Sequence, residues 1–74
     1  MSKNNLYRAP ENKTYTVCSV PELGILASLG IYPGTVLRKT KKYHLGGPVL
    51  ITLATRQLAL GKDIAKDILV TEVA

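Results

Sequence analysis

The chain contains no tryptophan and no phenylalanine, one cysteine, one histidine and only five acidic residues. A single cysteine, Cys18, excludes an internal disulfide and any four-cysteine zinc site, and it suits a reduced, cytosolic compartment. Without Phe or Trp the core must be aliphatic. The plentiful Leu, Ile and Val argue for such a core and against disorder. No apolar run approaches the ~20 residues of a membrane span, and the opening Met-Ser-Lys-Asn-Asn lacks the apolar stretch of a signal peptide. The expected location is cytoplasmic. At 74 residues the chain fits one domain, near the lower size at which a core holds without staples. Ten Lys and Arg against five Asp and Glu leave a net charge of +5, which favours an acidic partner without specifying one.

What is present is organised around Leu26–Gly34. Gly30 stands where a helix needs a left-handed residue just past its last turn, and Ile31 then falls where a Schellman ending packs back onto Leu26. Pro33-Gly34 turns the chain next, because proline fixes φ and glycine accepts φ > 0. Upstream, Ser19 and Glu22 have capping-box spacing, and Pro21 suits a first helical turn. These signals predict a helix of about ten residues. Leu23, Leu26 and either Ile25 or Ala27 would face inward, and Gly24 would weaken the helix interior.

Residues 1–14 read as a loosely packed N-terminal extension, with Leu6 and Tyr7 able to tuck against the domain as a lid. Residues 15–74 form the domain proper. Strands are expected at Tyr15–Val20, Thr35–Lys42, Val49–Ala54, Leu58–Leu60 and Ile68–Val73. Tyr43–Pro48 is a loop, Thr55–Gln57 a hairpin connection, and Lys62–Asp67 one helical turn after Gly61. Arg38, Lys39, Lys41 and Lys42 form a cationic outer face. Val49–Ala54 is apolar on both faces, which raises self-association. Five short strands and one helix between the first two describe a mainly β chain, a small, partly closed SH3-like barrel.

Leu29-Gly30-Ile31-x-Pro33-Gly34, Leu45-Gly46-x-Pro48, Leu58-Ala59-Leu60 and Ala65-x-x-Ile68-x-Val70, in this order and spacing, resemble the FeoA family, ferrous iron transport protein A. The resemblance runs without gaps from Leu29 to Val70. It implies an SH3-like barrel acting by protein–protein contact with FeoB, the membrane ferrous iron transporter with a cytosolic GTPase domain, and it implies regulation or binding rather than catalysis. A related domain closes diphtheria-toxin-repressor-like metalloregulators, but this chain has no room for their winged-helix and dimerisation domains. Three positions depart from the family pattern. Lys39 stands at a position usually apolar, Gly47 where a small acidic residue is common, and Leu26-Ala27-Ser28 where an arginine pair often precedes the Leu-Gly motif.

Catalysis has little to work with. Glu11, Glu22, Asp63, Asp67 and Glu72 lie on separate elements, and neither a nucleophile–base pair nor a P-loop is present. No cofactor is required. Cys18 and His44 are ligand types for a weakly bound divalent zinc or iron, but two ligands need Glu22, water or a second subunit to complete a site. The preferred reading makes Cys18 a small hydrophobe and His44 an exposed loop residue. The basic strand with Tyr43 admits three readings. One is a nucleic-acid backbone with a stacking platform, another a solvated face, and the third a contact with an acidic patch or lipid at the transporter. A small basic nucleic-acid-binding barrel is thus the alternative function, and a transition-metal-responsive domain a third. The partner surface is assigned to two loops, Leu29, Gly30, Ile31, Tyr32, Pro33 and Gly34 on one and Leu45, Gly46 and Pro48 on the other, because apolar loop residues serve as interface anchors.

Overall fold

The computed structural model describes residues 3–43 and 45–73. Alternation of side chains along the backbone sorts this chain into a single antiparallel sheet of six strands with two short helices. In chain order these are β1 (Asn4–Asn5), β2 (Lys13–Ser19), α1 (Gly24–Ser28), β3 (Val36–Lys42), β4 (Val49–Leu53), β5 (Arg56–Leu60), α2 (Lys62–Ala65) and β6 (Leu69–Glu72). The spatial order is β1-β6-β2-β3-β4-β5. The sheet has the expected SH3-like form but does not close; β1 and β5 are its edges.

The inward positions of each strand supply the core. Tyr15 and Val17 come from β2, Leu37 from β3, Val49, Ile51 and Leu53 from β4, Leu60 from β5 and Val70 from β6, all buried. Leu26 and Ile31, at and just after α1, and Ala65 and Ile68, at and just after α2, belong to the same buried cluster. Two register shifts re-aim the strands. One lies between Val17 and Ser19 in the β2–β6 ladder, the other between Lys39 and Lys41 in the β3–β4 ladder.

Residues 4–9 do not behave as a loose extension. Leu6 and Ala9 are buried, the Leu6 amide donates to Ile68 O at 2.8 Å, and Asn4 and Asn5 pair with Val70 and Leu69. The lid reading of Leu6 is the one the packing adopts, and it adds a sixth strand. An aliphatic core this small cannot leave a leucine-sized gap without losing several contacts.

The helix is also shorter than expected. Ser19 ends β2 instead of capping a helix, α1 begins at Gly24 after Leu23, and no side chain caps it. Five helical residues give barely more than one turn, so only Leu26 faces the core, while Leu23, Ile25 and Ala27 are exposed. The hairpin after β4 is tighter than expected as well. Leu53 pairs with Arg56 across Ala54–Thr55, with Ala54 left-handed at φ 57°.

Candidate functional site

The end of α1 has the geometry its residues predict. Gly30 N–H donates to Ala27 O at 3.0 Å, Ile31 N–H to Leu26 O at 2.8 Å, and Gly30 sits at φ +88°. This is the paired bond pattern of a Schellman ending. Tyr32–Thr35 is then a turn with Pro33 and left-handed Gly34 at its centre, closed by Thr35 N–H to Tyr32 O at 3.0 Å. Arg56, on the neighbouring hairpin, donates to Leu29 O at 2.8 Å, so the turn is tied to the start of β5.

This rigid corner borders a shallow groove of about 420 Å³ lined by Val20, Pro21, Leu23, Ala27, Ile31 and Tyr32. Leu23 and Tyr32, in its lining, expose 43% and 55% of their surface, and Ile25 on α1 exposes 60%. Ile31 is corrected as an exposed anchor, because it is fully buried against the core. Leu23 and Ile25 replace it on the surface. Helical periodicity points Leu23 inward and leaves Ile25 or Ala27 as its companion, but α1 is short and buries only Leu26.

Leu45, Gly46 and Pro48 lie elsewhere. They join the end of β3 to the start of β4, whereas the Leu29–Gly34 turn adjoins the start of β3 and the end of β4. The two expected halves of one partner surface therefore stand at opposite ends of the strands. Leu45 is fully exposed at φ +63°, and a Cβ added at Gly46 would come within 3.9 Å of Lys62 Cδ. Around this second end, the Lys41 ammonium stands 4.8 Å from the Tyr43 ring centroid, and those of Lys42 and Lys62 stand 4.7 and 5.5 Å from that of Tyr7.

The cationic outer face loses one member. Arg38 and Lys41 are exposed and Lys42 half-buried, but Lys39 points inward and is wholly buried. Consecutive strand residues cannot share a face, so Arg38 and Lys39 separate. The Lys39 ammonium donates to the carbonyls of Leu6 and Tyr7, both at 2.8 Å, and to that of Ala9. Burial pulls it down to about 8, the charge of Lys42 acts the same way, and Glu11 opposes both. Nearby, the buried Tyr15 hydroxyl donates to Pro10 O at 2.7 Å. Its burial, and secondly Glu72, raise the phenol above its ordinary value.

Cys18 is half-buried on β2, with Sγ 3.0 Å from Thr71 Oγ1. Its expected companion His44 lies outside the described residues. Among the described residues no three His, Cys, Asp or Glu side chains converge as metal ligands. No described helix is long and apolar enough to cross a membrane. The described surface presents one apolar corner and one basic, aromatic end.

A model of the FeoA domain matches residues 4–72. No curated protein matches the sequence. Among solved structures, an iron uptake regulatory protein (FeoA) superposes with a TM-score of 0.87 at 20% identity, covering 99% of this chain and 100% of that one. A FeoA-like protein from Clostridium acetobutylicum gives 0.82 at 27% identity, covering 100% and 91%. A manganese-dependent transcriptional repressor gives 0.87 at 22% identity, covering 96% of this chain but 42% of its own. With the model spanning the structure from β1 to β6, this chain belongs to the FeoA domain family, whose roles lie in ferrous iron transport or metalloregulation.

Proposed function

We propose that this chain is an accessory, regulatory protein of ferrous iron uptake that binds the cytosolic GTPase domain of a FeoB-like membrane transporter. The observation that carries the reading is the FeoA domain match over residues 4–72, together with the end-to-end likeness to a free-standing FeoA. The contact is assigned to the corner formed by α1 and the Leu29–Gly34 turn. Leu23, Ile25 and Tyr32 are presented there on backbone held by the Schellman bonds and by Arg56, and apolar side chains on a rigid frame lose little entropy on docking. The role is one of contact, not catalysis.

The test is binding of the purified GTPase domain, with and without GTP, to wild type and to Tyr32→Asp. Tyr32 is exposed, so the variant should fold, and its affinity should fall about tenfold or more if the ring is an anchor. Undiminished affinity in a folded variant would remove this corner from the interface. Absence of wild-type binding in either nucleotide state would remove the transporter as partner.

A further inference from the structure

We propose that the end of the sheet carrying Leu45 and Tyr43 is a docking surface for an anionic lipid bilayer, with Leu45 entering the acyl boundary and Lys41, Lys42 and Lys62 meeting the phosphates. The surface is opposite the corner assigned to the transporter and does not depend on that assignment.

Three observations carry it. The first is Leu45 itself. A leucine held at φ +63° with its whole side chain in solvent adds nothing to the core. At a membrane the same side chain is removed from water. The second is the ring of cations, each lying over or beside an aromatic. Tyrosine favours the headgroup level, and lysine stems run along apolar surface while the ammonium stays wet. The third is charge. Among the described residues the one ion pair is Lys13 with Glu72, so none of these three ammoniums sits in an ion pair. Glu11 accepts instead from the Lys42 backbone N–H at 2.6 Å, and Asp63 adjoins Lys62 on α2 without pairing to it. The remaining positive charge complements an anionic leaflet.

The same geometry disfavours a nucleic acid. Base stacking needs an open ring face; Lys41 takes one face of Tyr43, and the half-buried Tyr7 ring carries both Lys42 and Lys62. An exposed leucine also gains nothing from a phosphate backbone.

The experiment is flotation of the full chain with vesicles of phosphatidylcholine, pure or containing about one-third phosphatidylglycerol. Wild type should float with the anionic vesicles at low salt, stay behind with the neutral ones, and lose binding as salt is raised. Lys41→Gln and Lys62→Gln should each weaken it about fivefold, and Leu45→Asp about tenfold. Leu45→Trp places a single tryptophan in a chain that has none, so its emission should shift to the blue on anionic vesicles only. Matching thermal melts establish that each variant is folded. The proposal is overturned by absence of flotation with anionic vesicles, by equal flotation with neutral ones, or by a folded Leu45→Asp that binds as wild type. It is also overturned if a single-stranded oligonucleotide binds more tightly than the anionic vesicles and needs the same lysines. None of these outcomes bears on the GTPase-domain assay, which contains no lipid and reads Tyr32.

Discussion

The Lys39 ammonium, in the middle of β3, donates to the carbonyl of Leu6 at 2.8 Å, across thirty-three residues of chain. With the Tyr7 and Ala9 carbonyls it fastens the N-terminal segment over the core. Ammonium has three donors, and here all three are used on backbone that no strand partner satisfies. The same segment is tied by Tyr15 to Pro10 and by the Asn12 amide to Lys39 O at 2.7 Å. A buried charge is thus the latch between the first dozen residues and the sheet.

Lys39→Met should open that latch. Methionine fills much of the stem volume but leaves three carbonyls without their donor, a loss of about 1–3 kcal/mol near neutral pH. Hydrogen exchange at the Leu6 and Asn12 amides should accelerate more than at Ile51 in the core. Uniform exchange rates, unchanged from wild type, would show that the ammonium does not hold the segment.

Stability should rise with pH between about 8 and 10.5. Lys39 is lowered from its ordinary 10.5 to about 8 in the fold, so in this window the unfolded chain binds the proton that the folded chain has released. The contribution is complete above the unfolded value and is lost as pH falls through about 8. Tyr15 works the other way: its phenol is raised above 10.0, so its contribution is present below that value and is lost at higher pH. Urea unfolding at about pH 7 and pH 9.5 should show wild type gaining about 1–3 kcal/mol and Lys39→Met gaining little. A wild-type curve that declines across the window contradicts the assignment.

Gly30→Ala and Gly24→Ala should have opposite signs. At Gly30 a Cβ meets Leu53 Cδ2 at 3.3 Å and Arg56 Nη2 at 3.4 Å on backbone at φ +88°. Left-handed strain alone is about 1–2 kcal/mol, so the melting temperature should drop. At Gly24 the position is open and φ is not positive. Alanine there should be neutral or stabilising by up to ~1 kcal/mol. Differential scanning calorimetry of the two variants decides it.

Leu26→Ala and Ile25→Ala separate the faces of α1. Leu26 is 1% exposed and Ile25 60%. Truncating the first should remove about 2–5 kcal/mol, and truncating the second should change stability by no more than ~0.5 kcal/mol. Equal losses in denaturant unfolding would mean that α1 presents a different face to the core than the one described.

Local chemistry is what the residues determined by themselves. The Gly30 helix stop, the Pro33-Gly34 turn and the shared face of Val49, Ile51 and Leu53 follow from φ preferences and from side-chain alternation, which act over a few neighbours. Only the tertiary structure decided the rest. It placed Leu6 in the core, turned Lys39 inward onto carbonyls far away in sequence, exposed Leu23 and Ile25, and set Leu45 and Tyr32 at opposite ends. A polar head is buried only where acceptors from another segment meet it, and an apolar side chain stays outside only when the inner positions are already filled. Both conditions depend on distant parts of the chain, so no local window contains them.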